Sequence, residues 1–272
     1  MKYLANSVAA FLLMILFHNC SKGPYAAANK QYKKQAKEFA KAIKQTPPHD
    51  SLLQVVHNWV GTTNFNMRKP NFVIIHHTAQ NSCDQTLKTF TTARTQVSAH
   101  YVICKDGSIN HMLNDYLRAW HGGVAKWGNN TDINSSSIGI EIDNNGFDEF
   151  TEPQMNSLLL LLGNLKKAYA IPVANFIGHA DIAPTRKNDP NVHFPWKRLA
   201  DSGYGYWWSD TTGVAVPQTF NGMQALRIIG YDIKDSAAAV QTFNRKYLQQ
   251  EGNAVLTEDD RKILFTLYRK YE

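Results

Sequence analysis

At 272 residues, with 43% hydrophobic and 19% charged side chains, the chain has ordinary globular composition and room for one good-sized domain plus a small one. Its formal charge of +7 does not mark a nucleic-acid-binding protein, because that charge is not spread over the chain. Residues 22–44 hold seven lysines and one glutamate, Lys2 adds one more, and residues 45–272 are close to neutral. The basic stretch reads as a solvated linker, although beside a membrane anchor it could lie on anionic lipid or wall polymer.

Lys2 precedes ten apolar residues, Val8 to Phe17, a run too short to span a bilayer comfortably and suited to the apolar core of an export signal. Cys20 follows where an exported bacterial lipoprotein would carry its lipid. Phe17-His18-Asn19 depart from the usual small-residue pattern, so simple secretion and an uncleaved anchor remain open. All three readings place the rest of the chain outside the cytoplasm. With Cys20 lipidated, Cys83 and Cys104 remain, and in an oxidising compartment they either pair or stay as free thiols.

Residues 30–44 place Ala36, Phe39, Ala40 and Ile43 on one helical face, ahead of a break at Pro47-Pro48. Phe72 to Thr78 is β-branched and apolar and predicts a buried strand. Neighbours on a strand point to opposite sides, so only one of His76 and His77 can face a given site. Ser82 and Gln85 form a capping-box pattern for a helix carrying Leu87 and Phe90. Ala99–Cys104 reads as a second strand and Lys105–Ser108 as a hairpin turn. The Trp120-His121 pair before two glycines either lines a cleft for sugar or peptide or belongs to a loop with one anchoring Trp.

Ser137–Ile142 alternates cleanly. Three isoleucines face the core, and Ser137, Gly139 and Glu141 face the other way, leaving room above the sheet for a ligand. A carboxylate in such a strand is costly unless solvated or paired. Glu141 is therefore the candidate general base, against the reading of an ordinary exposed strand glutamate. Thr151 and Gln154 cap a helix bearing Met155, Leu158, Leu159, Leu162 and Leu165. A short apolar strand then delivers His179. His179, Lys187 and Asp189 lie within eleven residues rich in loop-formers. Imidazole and carboxylate are both zinc ligands, and a catalytic zinc usually takes three from the protein, which points back to His76-His77 for the third.

Four motifs carry a resemblance: Ile75-His76-His77-Thr78-Ala79, Val97-Ser98-Ala99-His100-Tyr101, Ser137-Ile138-Gly139-Ile140-Glu141, and the run from Gly178 to Pro190. The chain resembles the zinc-dependent N-acetylmuramoyl-L-alanine amidases of the type 2 superfamily, which includes the peptidoglycan recognition proteins, over roughly residues 66–200. The resemblance implies an α/β (α+β) fold with a mixed β-sheet flanked by helices. It implies one zinc ion held by His76, His179 and Asp189, with Glu141 as catalytic carboxylate and Lys187 stabilising the oxyanion. His100, Trp120 and His121 are the candidate substrate contacts. Where the family often continues Asp-Pro-Gly, this chain reads Asp189-Pro190-Asn191-Val192-His193, and His193 becomes a competing ligand candidate.

Beyond Trp207-Trp208, helical patterns cover Phe220–Ile229, Ala237–Gln249 and a segment capped by Thr257 and Asp260. They predict a small three-helix domain, resembling a peptidoglycan-binding module or serving as a helical cap. The expected organisation is a signal and lipoprotein segment (1–20), a basic linker (21–65), a catalytic domain (66–212) and a helical domain (213–272). The implied activity is hydrolysis of the amide between N-acetylmuramic acid and L-alanine in peptidoglycan or its muropeptide fragments. The alternative is a non-catalytic peptidoglycan receptor; a cytosolic recycling amidase conflicts with the apolar N-terminus. The implied partners are peptidoglycan or muropeptides and a membrane reached through the N-terminal anchor, with no nucleic acid. The expected state is a monomeric periplasmic lipoprotein of the outer membrane.

Overall fold

The structure is a computed structural model and describes residues 23–44 and 60–272. The expected signal stretch Val8–Phe17, the lipid acceptor Cys20 and the Pro47-Pro48 break lie outside the described residues. The chain divides into two units, Met1–Val60 and Gly61–Glu272. In the first, α1 (Ala26–Lys44) begins four residues before the predicted start, since Ala26, Ala27 and Ala28 are strong helix formers. At 3.6 residues per turn, Lys30, Lys33, Lys34, Lys37, Lys41 and Lys44 fall on one side and Tyr32, Phe39 and Ile43 on the other. No residue of this helix is buried. Among the described residues, no helix is long and apolar enough to cross a membrane.

The second unit is built on a five-stranded mixed sheet. Its early elements are β1 (Phe72–His77), α2 (Cys83–Phe90), β2 (Tyr101–Ile103) and β3 (Ile109–His111). A single turn, α3 (Ile133–Ser136), leads into β4 (Ser137–Ile142), α4 (Glu152–Tyr169) and β5 (Phe176–Gly178). The strand order is β3-β2-β4-β1-β5. β1 runs parallel to β4 and β5, β4 runs parallel to β2, and only the β2–β3 hairpin is antiparallel. The central strands β1 and β4 are buried almost throughout because both sheet faces are covered.

On one face Val73, Ile75, Ile138, Ile140 and Ile142 pack against Met155, Leu158, Leu162 and Leu165 of α4. The Thr151–Gln154 capping box that starts α4 forms as expected. At α2 the expected box is half made: Ser82 accepts from the Gln85 amide, but the Gln85 side chain turns to the Asn81 amide at 3.1 Å. Cys83, the first residue of α2, is disulfide-bonded to Cys104 just after β2, closing a sequence separation of 21. A loop of that size is worth roughly 3 kcal/mol in unfolded-state entropy.

The other face carries Ile74 and Ile177, and here the C-terminal part of the chain packs. After β5 come the single turn α5 (His179–Ile182), α6 (Trp196–Asp201), α7 (Gly222–Ile229), α8 (Ser236–Tyr247) and α9 (Glu258–Tyr268). Ile74, Ile177 and Ile182 share one apolar cluster with Leu226, Ile229, Phe243 and Leu264, so residues 213–272 close over the sheet. Gly230 ends α7 in a left-handed conformation (φ +136°), and any Cβ there would run into the Trp127 indole.

One polar contact ties these helices to the loop region of the sheet. Asp181 in α5 is buried; its Oδ2 accepts from the Gly178 amide (2.7 Å) and Lys246 of α8 (2.6 Å), and its Oδ1 from the Tyr231 hydroxyl (2.8 Å). The Lys246 ammonium also lies 4.2 Å from the centre of the Trp196 ring. Removing one partner of a buried ion pair strands the other charge, at about 3–5 kcal/mol. Lys246→Met should lower the unfolding free energy by that order in urea melts, and adding Asp181→Asn should recover a large part of it.

Candidate metal centre

Three chain segments bring the site together at one end of the sheet. β1 ends on His76-His77, and the strand alternation sends their rings to opposite sides. His77 turns toward the α4 side, where its Nδ1 accepts from the Asn191 amide at 3.0 Å. His76 turns to the face that carries Gly139 and Glu141. β5 runs directly into α5, whose first residue is His179. The following loop returns Asp189 beside it, held by the Ala180 amide donating to the Asp189 carbonyl at 2.8 Å. Asn191 continues this anchoring, its side-chain amide reaching Asn144 Oδ1 and the Asp148 carbonyl.

His76 Nδ1, His179 Nδ1 and Asp189 Oδ2 lie 3.0 Å from one another in every pairing, and all three residues are buried. Ligands about 2.1 Å from a tetrahedral ion stand about 3.4 Å apart, so the spacing is close to a metal's requirement. His179 Nε2 faces the Gly122 carbonyl at 3.1 Å. A carbonyl only accepts, so the ring proton sits on Nε2 and Nδ1 offers a bare lone pair. Burial and the neighbouring His179 push His76 down to about 4, leaving a neutral imidazole. Burial works to raise the Asp189 carboxyl, but hydrogen bonding and charge from His179 and His76 hold it well below the usual range. Two imidazoles and a carboxylate, converging on one point, are a donor set that fits a divalent metal of zinc's type.

Glu141 is the register partner of His76 on the adjacent strand, so the two residues share a sheet face. Its Oε2 is buried without a hydrogen-bond partner. Burial pushes its carboxyl well above the ordinary value, Asp189 adds to this, and the charge of Lys187 opposes it. Lys187 is half-buried and acts on the His76 ring as well. His76, His179 and Asp189, drawn from motifs up to 113 positions apart, form one cluster, with Glu141 on the adjoining strand.

The other expected residues divide. Trp120 is 52% exposed, next in sequence to the buried His121. His100 has no exposed surface: its Nδ1 accepts from the Gly139 amide (3.0 Å) and its Nε2 faces the Leu117 carbonyl (3.1 Å). It braces the central strand β4 from within instead of contacting a substrate. His121 is also buried, with Nδ1 3.1 Å from His76 Nε2, so it lies behind the metal-type triad. The space above Gly139 that was expected to admit a ligand is filled by this ring; a Cβ on Gly139 would come within 2.5 Å of it. His193 is exposed and pairs with Glu149 at 3.0 Å, away from the cluster. Asn134 went unnoticed in the sequence, yet its Oδ1 accepts from the His121 and Gly122 amides. Arg186 also escaped notice and donates to the Gly122 and Val124 carbonyls. Neither has a local sequence signal, since their partners lie far away in the chain.

This arrangement defines a class: an α/β protein with a buried two-histidine, one-carboxylate metal-type site beside an unpartnered carboxyl group. Residues 66–192 match the family described as N-acetylmuramoyl-L-alanine amidase. The N-acetylmuramoyl-L-alanine amidase AmiD of Escherichia coli (strain K12) is 36% identical over 151 residues, 50% of this chain and 54% of that protein. The 1,6-anhydro-N-acetylmuramyl-L-alanine amidase AmpD of Haemophilus influenzae is 38% identical over 108 residues, 39% of this chain and 59% of its own length. The solved structure of E. coli AmiD with the substrate anhydro-N-acetylmuramic acid-L-Ala-D-gamma-Glu-L-Lys superposes with a TM-score of 0.68 at 27% identity, covering 78% of this chain and 93% of that one. The chain thus spans little more than half the length of these two curated relatives.

The raised Glu141 carboxyl has a consequence for stability. The folded protein holds that proton more tightly than the unfolded chain does, so its contribution is full below about pH 4 and is lost as pH rises through the folded value. Glutamine has no such dependence. Metal-free Glu141→Gln protein should therefore melt higher than its parent at pH 7, with the difference closing toward pH 4 in thermal scans.

Proposed function

We propose that the chain is a zinc-dependent amidase that hydrolyses the bond between the lactyl group of N-acetylmuramic acid and L-alanine, in peptidoglycan or in muropeptide fragments. The observation that carries this reading is the convergence of His76 Nδ1, His179 Nδ1 and Asp189 Oδ2 on one point, with the unpartnered Glu141 carboxyl on the adjoining strand. The family match of residues 66–192 and the muropeptide in the related solved complex support the substrate class.

His76, His179 and Asp189 would hold the zinc. When bound, zinc supplies Lewis acidity toward the scissile carbonyl and the attacking water. Glu141 takes the proton of that water and returns it to the departing L-alanine amine. A carboxyl with a raised pKa suits both transfers, being a stronger base and a better-matched acid near neutral pH. Lys187 brings positive charge to the region where the tetrahedral oxyanion develops. Trp120 offers an exposed indole face for a sugar ring or stem peptide.

The proposal extends to location. The apolar run before Cys20 supports export and lipid anchoring, with the enzyme in the periplasm at the outer membrane. The Cys83–Cys104 bridge supports the same compartment, because disulfides persist outside the reducing cytoplasm. Residues 213–272 would contribute peptidoglycan binding as well as their cover over the sheet.

Purified protein incubated with muropeptides and read by mass spectrometry should release stem peptide with an intact L-alanine N-terminus. Chelation should abolish the release and added zinc restore it. Stoichiometric zinc without cleavage would replace the enzyme by a receptor. Trp120→Ala should raise KM several-fold and leave kcat within about twofold, the pattern of lost uniform binding.

A further inference from the structure

A histidine ligand needs more than position: its coordinating nitrogen must carry no proton. For His179 the Gly122 carbonyl settles this directly. For His76 no carbonyl faces the outer nitrogen, and the proton is settled through two other side chains. The chain of reasoning starts at the Ile133 carbonyl, which can only accept. Ser137 Oγ lies 2.6 Å from it and so commits its one proton there. Toward His121 Nε2, 3.1 Å away, Ser137 Oγ is then an acceptor, and His121 must carry its proton on Nε2. A neutral imidazole has one ring proton, so His121 Nδ1 is bare. His121 Nδ1 lies 3.1 Å from His76 Nε2, which must donate to it. The proton of His76 is thereby fixed on Nε2, and its Nδ1 faces Asp189 and His179 as a lone pair.

We propose that His121 and Ser137 are positioning residues that fix the tautomer of His76 and thereby set the metal affinity of the centre, a role that rests on the metal-site reading above. The local sequence fits this use. Gly139 is the strand position between Ser137 and Glu141, and only a residue without Cβ leaves space for the His121 ring, whose Cγ and Cδ2 would lie 2.5 and 2.6 Å from one. The His121 backbone is itself fixed by its amide donating to Asn134 Oδ1 at 3.1 Å. Small residues on this face of β4 therefore admit an internal imidazole instead of a ligand. Without the relay, His76 is free to adopt the Nδ1–H tautomer, which hydrogen-bonds to Asp189 and blocks the coordinating nitrogen.

The test uses full-length protein stripped of metal, zinc affinity measured by competition with a chromophoric chelator, and two-bond 1H–15N spectra of the histidine rings. Thermal melts confirm that each variant is folded. His121→Leu keeps bulk but offers no acceptor, and should weaken zinc binding about 10- to 100-fold. His121→Asn can place an amide oxygen near the position of Nδ1, and should recover most of the loss. Ser137→Ala frees the His121 proton and should cost several-fold; it serves as the second probe if His121→Leu does not fold. In the metal-free parent the His76 ring should show the Nε2–H tautomer, with that bias lost in His121→Leu. Parental affinity in both His121→Leu and Ser137→Ala, or an Nδ1–H tautomer for His76 in the metal-free parent, would overturn the relay while leaving the metal site standing. A parent that takes up no zinc would remove both.

Discussion

Three lone-pair donors held 3.0 Å apart in a buried place are the constraint around which this molecule is arranged. Left to themselves, bare imidazole nitrogens and a carboxylate oxygen repel one another and would turn apart or trap a proton. Holding them together requires a scaffold whose own energy does not depend on their contact. The parallel pairing of β1 with β4 and β5 provides it: Val73 aligns with Ile138 and Phe176, and Ile75 with Ile140 and Gly178. The same register that packs this apolar set against α4 brings His76 beside Glu141 on the opposite face. One pattern of alternation serves both core and site, so a one-residue slip would destroy both together.

The second support comes from the C-terminal helices. His179 opens a turn of four residues, too short to hold its shape alone. Two residues on, Asp181 is locked by Gly178, Tyr231 and Lys246, the last two from the C-terminal region. The apolar cluster of Ile74, Ile177 and Ile182 with Leu226 and Phe243 lies on the same side. The helices thus act on the chemistry through packing, whatever else they bind. A buried ion pair is weak evidence for stability, but it is a strong device for allowing only one arrangement of the turn it grips.

Much of this was legible from the residues. The strands at Phe72–His77 and Ser137–Ile142 announced themselves by β-branched runs and alternation, and the capping boxes at Thr151 and Thr257 by their spacing. The site cluster was legible through motif resemblance, since nothing in the spacing of His76 and Asp189 alone says that they meet. Alternation said only that one of His76 and His77 could face the site; the choice of His76 came from the motif resemblance. Less legible were residues whose roles depend on partners distant in the chain. His100 read as a substrate contact from its place in a family-like motif, and His121 from the Trp-His pair ahead of two glycines. Burial depends on what folds over them, and Asn134 and Ser137 are invisible as neighbours in one dimension. Ser137 and Gly139 were correctly placed on the site face, but their smallness serves an imidazole from the protein itself.

Glu141 shows how the two demands on the sheet collide. A strand residue in the middle of a mixed sheet is worth most to folding when it is apolar, as Ile140 and Ile142 are on either side. A carboxyl there, with one oxygen unpartnered, opposes folding at neutral pH. Such a group is tolerated when the fold has stability elsewhere to offset it, and here the disulfide, the α4 layer and the C-terminal helices supply it. The same burial that makes it costly raises its proton affinity toward the range in which a carboxyl can both take and return a proton. The small residues beside it follow the same logic one step further. Ser137 and Gly139 give up apolar contact so that a neighbouring ring can sit against the strand. The face of β4 that gives up apolar packing is therefore the one on which the chemistry depends.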